Sequence, residues 1–297
     1  MNIFGTVLTH KAPFANYYGE GDGSSTSRLQ SIYVDDDQQT IISSESIKNA
    51  MREIMIKISP DLNLNINRTR IHDGNQLAVS FKTINDPEKY IDDFIMGYLM
   101  NLEKEKKDTP KIKRTSVFQC NLAVSTEHKK DETIFHQSPW IQFQDGKTKL
   151  AREQCDLFQK EVIWTAFQYP FQINCSDFKN HLDWLEIFMM YCIGQLTGVA
   201  GNQTRSLFGM EPESIFLRIS KRSARNCEEY CFDKNLNVLS LVDKIKNSQI
   251  DARELIFGGS IVSRIADKDI LSEMGVKFHY NIDQALHESF ERGISNL

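Results

Sequence analysis

The order of the periodic segments constrains the fold of this chain more than any other feature. Apolar residues that recur every three to four positions predict helices, and apolar residues at every second position predict half-buried strands. In chain order the pattern predicts a strand at 3–9, a helix at 43–58, strands at 77–82, 115–126 and 161–173, a helix at 177–197 and a strand at 215–219. Reduced to its core, this β-α-β-β-α-β order fits a ferredoxin-like sheet with large insertions. Many binding modules and many enzymes share that layout, so an α+β fold is predicted without deciding the function.

Two long polar segments lie between these periodic ones. Residues 11–39 are polar and rich in glycine, and they suggest a long loop of the kind that is usually functional or disordered. Residues 127–152 are polar and poorly patterned. We therefore expect one domain over residues 1–297, with candidate insertions at about 60–116 and 127–160.

The net charge of −5 and the pI near 5.9 argue against a nucleic-acid binder, because such domains are usually basic. Two local islands oppose that balance. Residues 104–130 hold eight basic and three acidic residues, and Arg218, Lys221, Arg222 and Arg225 have no acid between them. Segregated charge of this kind suits a phosphate-binding groove. An ordinary charged loop explains each island equally well.

The predicted first helix carries a polar face that its packing does not require. Ser44, Lys48 and Arg52 follow one another at intervals of four, so they lie along one side. A chain of phosphates would relieve the repulsion between the two cations, and the serines leave hydroxyls and free amides at the helix start. A solvated face neutralised in part by Glu45 and Glu53 is the alternative. The candidate phosphate-binding residues on this helix are Ser43, Ser44, Ser46, Lys48 and Arg52.

A second candidate is the loop after the second predicted helix, GVAGNQTRSLFG. Its glycines and polar side chains suit a phosphate-contacting loop, although it lacks the P-loop pattern. A helix C-cap followed by a turn is the competing interpretation. The candidate contact residues are Asn202, Thr204, Arg205 and Ser206.

Recognisable catalytic and metal-binding patterns are absent from the sequence. It contains no H-E-x-x-H, no G-x-S-x-G and no kinase set. Residues 35–37 form an Asp-Asp-Asp run that suits a metal ion, but an acidic loop tip is the commoner explanation. Cys227 and Cys231 have no second pair at zinc-ligand spacing. We expect no catalytic residue, no metal and no cofactor.

The cellular location is predicted from the lack of a membrane span and of a signal peptide in the sequence. No run of about 18 apolar residues indicates a membrane span, and the start lacks the basic and apolar regions of a signal peptide. The six cysteines are scattered and are expected to be free thiols. We therefore expect a cytoplasmic protein with no membrane partner.

Four segments in order resemble one family: GTVLTHKAPFANYYGEG, IISSESIKNAMREIM, EVIWTAFQYPFQIN and GVAGNQTRSLFGMEPESIFLRI. They resemble the CRISPR RNA-binding backbone subunit of type I CRISPR Cascade complexes, in the DevR branch found in type I-B and related systems. The resemblance implies a modified RNA-recognition-motif palm with large inserted finger and thumb segments. It further implies a non-catalytic subunit that polymerises along CRISPR RNA and presents the guide bases, so that base pairing supplies the specificity.

The resemblance also implies partners and residue roles. The partners would be CRISPR RNA, target DNA through guide pairing, further copies of the chain, and the cap, large subunit and processing endonuclease of Cascade. Asn16 and Tyr17 become expected contacts to ribose or phosphate, and Tyr17 is also able to stack on a base. A thumb or finger surface that meets nucleic acid would include Lys111, Lys113 and Arg114. The alternative is a ribonuclease of the related type III backbone class, using an aspartate of residues 35–37.

Overall fold

The computed structural model describes residues 1–15, 26–34, 36–73, 76–99, 113–130, 132–137, 157–199, 208–223, 229–295 and 297. The strands are β1 (Asn2–Thr9), β2 (Ala12–Phe14), β3 (Thr26–Ser27), β4 (Ser31–Val34), β5 (Asp37–Ile42), β6 (Arg68–Asp73), β7 (Gln76–Phe81), β8 (Tyr98–Leu99), β9 (Lys113–Arg114), β10 (Phe118–Cys120), β11 (Ala123–His128), β12 (Thr133–Gln137), β13 (Leu157–Glu161), β14 (Ile163–Thr165), β15 (Phe167–Asn174), β16 (Pro212–Ser220), β17 (Leu255–Gly259) and β18 (Lys277–His279). The α-helices are α1 (Ser44–Ile58), α2 (Ile91–Met96), α3 (Leu182–Ile187), α4 (Leu239–Lys246), α5 (Ile261–Arg264), α6 (Lys268–Glu273) and α7 (Ile282–Ile294). A π-helix at Phe188–Ile193 continues α3, and 3-10 helices lie at Cys175–Phe178 and Ala252–Glu254.

A nine-stranded sheet dominates the described part of the chain. Its order is β18-β17-β16-β1-β15-β11-β5-β4, and β10 pairs with β15 beside β11. The pairs are antiparallel except for β17 with β18, which are parallel. Along the chain, β1, α1, β11, β15, α3 and β16 follow one another, and the four strands of this series lie side by side as β16-β1-β15-β11. The predicted α+β class is confirmed.

Two hydrophobic cores cover the two faces of this sheet. Successive residues of a strand point to opposite faces, and β1 is buried along its whole length. Val7 packs in the core that includes Met51 of α1 and Leu286 of α7. Leu8 packs in the other core, with side chains such as Leu241 of α4. The part of the sheet around β1 is therefore a buried middle layer, and α1 is fixed along one face of it.

The segment at residues 11–39, predicted to be a loop, contains strands. It includes β2, β3 and β4 and the first residues of β5, and β4 pairs with β5 in the register Ser31↔Thr40 to Val34↔Asp37. These strands are short and lie at edges or in small ribbons. Phe14 of β2 is buried in a core, whereas the residues of β4 are half-buried or exposed. They carry no apolar alternation for the sequence to show.

The two predicted insertions hold small elements of their own. β6 and β7 form an antiparallel hairpin between α1 and α2, and β12 pairs with β13. Among the described residues, no helix is long and apolar enough to cross a membrane.

Candidate nucleic-acid interface

The start of α1 is organised by Ser43. The Oγ of Ser43 accepts a hydrogen bond from the backbone N–H of Ser46 at 3.2 Å, which is the N-cap contact that serine favours. The hydroxyl of Ser44 bonds the carboxylate of Glu45 at 3.1 Å. Ser44, Ser46 and Lys48 are half-buried and follow along the first two turns. The structure therefore brings the predicted serines and Lys48 together at one helix end.

Arg52 has an internal partner that the sequence did not reveal. Its guanidinium donates to the carbonyl oxygens of Met96 at 3.4 Å and Gly97 at 3.2 Å, so it caps the end of α2. Burial and the nearby Arg68 lower the pKa of Arg52 to about 10. Gly97 has φ +65°, and a Cβ there would lie 2.4 Å from the carbonyl oxygen of Arg114. Arg52 therefore ties α1 to the turn that ends α2.

Two adjacent carboxylates of α2 hold the base of the β6–β7 hairpin. Asp92 is 2% exposed, and it accepts hydrogen bonds from the backbone N–H groups of Asn67 at 2.9 Å and Arg68 at 2.8 Å. Asp93 is 1% exposed, and it accepts from the side-chain amide of Asn67 at 2.8 Å. We name Asn67, Asp92 and Asp93 the hairpin anchor. The sequence presents the two aspartates only as acids at a helix start, a common pattern that does not indicate this contact.

Asp93 accepts two further hydrogen bonds within the anchor region. Beyond Asn67, it accepts from the side-chain amide of Asn85 at 2.7 Å and from the backbone N–H of Asp86 at 3.0 Å. Burial raises the pKa of the Asp93 carboxyl, and these three hydrogen bonds offset part of that effect. The anchor therefore sits in a desolvated environment, with donors supplied by the turn before α2.

The hairpin adds basic residues beside α1. Arg70 of β6 pairs with Glu53 of α1, with 2.7 Å between Nη2 and Oε1. Burial lowers the pKa of Arg68, while Asp92 and Glu53 raise it. Sequence reasoning missed Arg68 and Arg70 because no local cluster surrounds them. The face of α1 is thus a mixed-charge surface, and Glu53 neutralises part of it.

Lys113 and Arg114 lie in β9, which pairs with β8, the strand that follows α2. Lys113 is exposed, whereas the Arg114 guanidinium lies over the ring of Phe94 at 5.0 Å from its centroid. A polar cavity of about 320 Å³ opens beside Arg114, and its lining includes Gln119 and Gln172. Arg114 is therefore oriented by an aromatic ring at the edge of a polar depression.

The two basic islands predicted from the sequence are partly internal, which corrects that prediction. The side chain of Lys129 is 9% exposed and pairs with Glu161 at 3.0 Å. Arg218 is 4% exposed and pairs with Glu254 at 2.7 Å, and Glu254 also accepts from the hydroxyl of Ser220. Each partner lies more than 30 residues away along the chain, so local charge counting could not include it.

Several candidate residues lie outside the described residues: Asn16, Tyr17, Lys111, Asn202, Thr204, Arg205 and Ser206. Thr197 and Gly209, on either side of the second candidate loop, form an antiparallel bridge. Asp36 and Asp37 are exposed at the β4–β5 turn, and Asp37 lies 3.5 Å from His128. Within the part of the chain that the structure describes, no three His, Cys, Asp or Glu residues are close enough to hold a metal ion.

Comparisons with known proteins agree with this architecture. No family model matches the chain. The chain is 26% identical over 307 residues to the CRISPR-associated protein Cas7/Cst2/DevR of Myxococcus xanthus (strain DK1622), covering 98% of this chain and 97% of that protein. Its fold is similar to a chain of a CRISPR RNA-guided surveillance complex, with a TM-score of 0.53, 11% identity and coverage of 97% and 98% of the two chains. A chain of a CRISPR RNA-guided surveillance complex, pre-nicking, gives a TM-score of 0.59 at 8% identity, covering 99% and 100%. The resemblance to the DevR branch is confirmed along nearly the whole chain.

Proposed function

We propose that this chain is an RNA-binding backbone subunit of a Cascade-type surveillance complex, and that it has no catalytic role. Several copies would polymerise along one CRISPR RNA and present its bases for pairing with target DNA, beside the other Cascade subunits. The observation that carries this proposal is the similarity to Cas7/Cst2/DevR over 98% of the chain. A similarity of that extent covers both the proposed palm and the proposed insertions.

The strand arrangement supports a ferredoxin-like palm. The order β16-β1-β15-β11 and the β-α-β-β-α-β connectivity correspond to the split βαβ layout that RNA-recognition modules use. Residues 60–116 then supply one insertion, which carries the β6–β7 hairpin, and residues 127–160 supply the other. We assign these two insertions to the finger and thumb segments.

The backbone contacts are assigned first to the start of α1. A helix N-terminus offers amide N–H groups and a positive dipole end, and Lys48 adds a cation one turn later. Such groups hold phosphates without reading the bases, which leaves sequence recognition to base pairing. The loops with Asn16 and Tyr17 and with Asn202–Ser206, and the surface near Lys113, are assigned supporting contacts.

Lys48→Gln tests this assignment. The log of the RNA-binding constant is measured against the log of salt concentration, with labelled single-stranded RNA and the full chain. One lost phosphate contact should reduce the steepness of that line by about 0.7. Lys57→Gln is the matched control, because Lys57 is exposed on the last turn of the same helix. An unchanged line for Lys48→Gln would remove Lys48 from the interface.

A ribonuclease of the type III class is the second candidate, and the proximity of Asp37 to His128 is the observation that favours it. The purified protein, loaded with guide RNA, is incubated with labelled complementary RNA and a divalent metal. Regularly spaced cuts that disappear in Asp37→Ala would support the ribonuclease. Intact RNA under the same conditions would support the non-catalytic subunit.

A further inference from the structure

Trp164 is a large aromatic side chain that the fold leaves in solvent. It lies in β14, which pairs with β2 in the register Trp164↔Pro13. Its neighbours Ile163 and Thr165 are buried, while Trp164 is 63% exposed. Single exposed apolar residues are common on protein surfaces, so exposure alone indicates no site. The residues around Trp164 give a stronger indication of a binding site than its exposure does.

A cavity of about 260 Å³ lies beside Trp164. Its lining is Glu127, His128, Lys130, Glu132, Ile163 and Trp164. Ile163 and Trp164 form an apolar side, and the other four residues supply both hydrogen-bond donors and acceptors. The volume lies just below the range of about 300–1,000 Å³ that is usual for drug-sized ligands. The cavity therefore suits a small, flat group with a polar edge.

The charged groups of the lining favour the base of a nucleotide over its phosphate. Glu127 and Glu132 place two carboxylates at the cavity, and Lys11 neutralises one of them through a 2.6 Å contact with Glu127. Lys130 balances the other carboxylate, so the described lining has no excess of positive charge to hold a phosphate, whereas its carboxylates can accept hydrogen bonds from the amino and imino groups of a base edge. A base also presents a flat face to the indole, and base–aromatic stacking is the common way of holding an unpaired base.

We propose that Trp164 and this cavity form a nucleobase-binding site, which accepts an unpaired base of the single-stranded RNA bound by the chain. The inference rests on the proposed function, because it takes RNA as the ligand and adds a site for one of its bases. The indole supplies the stacking face, and the carboxylates and Lys130 meet the polar edge.

The test compares intact RNA with an abasic ribose-phosphate oligomer of equal length. Binding of each labelled probe to the full chain is measured by fluorescence anisotropy. Trp164→Ala should weaken binding of intact RNA by about 5- to 150-fold, and should leave the abasic probe and the salt dependence unchanged. Trp164→Phe keeps an aromatic face and should retain most of the affinity. Tyr33→Ala is the matched control, since Tyr33 is 76% exposed on the edge strand β4 and is not part of the described lining of this cavity.

Four outcomes would overturn the inference. The first is wild-type affinity of a folded Trp164→Ala variant for intact RNA. The second is an equal loss for both probes. The third is loss of self-association in sedimentation velocity with RNA affinity intact, which would assign Trp164 to a protein contact. In these three cases, salt-dependent RNA binding by the wild type preserves the proposed function. A wild-type chain that binds neither probe would overturn both proposals.

Discussion

The side-chain amide of Asn67 donates a 2.8 Å hydrogen bond to a carboxylate oxygen of Asp93, and both residues are buried. Asn67 immediately precedes the β6–β7 hairpin, and Asp93 belongs to α2. Arg52 connects α2 to α1 in turn. The bond between Asn67 and Asp93 is therefore one step in a chain of contacts that holds the hairpin in place beside α1.

Asp93→Ala is expected to destabilise the fold strongly. The substitution leaves three buried or half-buried donors without their acceptor, from Asn67, Asn85 and Asp86. Because an unsatisfied buried donor costs about 1–3 kcal/mol, we expect a loss of about 3 kcal/mol in the free energy of unfolding. Urea unfolding measures it. Asp61→Ala, at an exposed aspartate, should stay within about 0.5 kcal/mol of wild type. A loss below about 1 kcal/mol for Asp93→Ala would contradict the anchor.

The raised pKa of Asp93 predicts a pH dependence of stability. Below the ordinary aspartate pKa of 3.8, this carboxyl is protonated in both the folded and the unfolded chain. As the pH rises, the unfolded chain ionises first, so the contribution of Asp93 to stability falls until the folded form also ionises. Asp93→Asn removes this titration. The free energy of unfolding of wild type minus that of Asp93→Asn should therefore decrease as the pH rises above the ordinary aspartate pKa of 3.8. A difference that increases with pH would contradict the raised pKa.

Tyr169→Phe should cost no stability. Tyr169 is buried in the first core, and its hydroxyl has no hydrogen-bond partner among the described residues. Removing a buried, unpaired hydroxyl is neutral or stabilising by about 1 kcal/mol. Tyr230→Phe is the matched comparison, because the Tyr230 hydroxyl donates to the carbonyl of Leu122 at 2.8 Å, and its loss should cost about 1 kcal/mol. Thermal unfolding of the two variants would show opposite shifts, and a marked loss for Tyr169→Phe would reveal a partner.

Glu254→Ala should lower the free energy of unfolding, because it leaves the buried Arg218 without its carboxylate partner. The Nε of Arg218 donates to Glu254 at 2.7 Å from a site that solvent scarcely reaches. Breaking a buried ion pair costs about 3–5 kcal/mol, and the partial exposure of Glu254 reduces this to about 2–3 kcal/mol. Asp267→Ala breaks the surface pair with Lys246 and should cost less than about 1 kcal/mol. Equal losses in chemical unfolding would refute an internal role for Arg218.

Sequence periodicity predicted the elements whose side chains alternate between core and solvent. The helix predicted at 43–58 is α1, with Ser43 as its cap, and the strand predicted at 215–219 lies within β16. Alternation does not show where a strand changes partner. The strand predicted at 161–173 is three strands, since β13 pairs with β12, β14 with β2 and β15 with β1. Val162 and Ala166 occupy the breaks without disturbing the pattern.

The predicted helix at 177–197 illustrates a related difficulty. A 3-10 helix, α3 and a π-helix occupy this segment in turn, and α3 begins only at Leu182. Apolar residues continue from α3 into the π-helix, so the transition between these two geometries has no signal in the sequence. For the candidate interface, the start of α1 could be predicted because its residues are close in sequence. The hairpin anchor could not, because Asn67 and Asp93 are 26 positions apart.

The anchor has a consequence for how this subunit can diverge. Three of its bonds reach backbone N–H groups, those of Asn67, Arg68 and Asp86, which every residue other than proline possesses. None of these three bonds uses a side chain of β6 or β7. The sequence of the hairpin can therefore diverge between relatives while the sequences of the sheet and α1 stay the same. For the same reason, another hairpin can be grafted at the same two junctions.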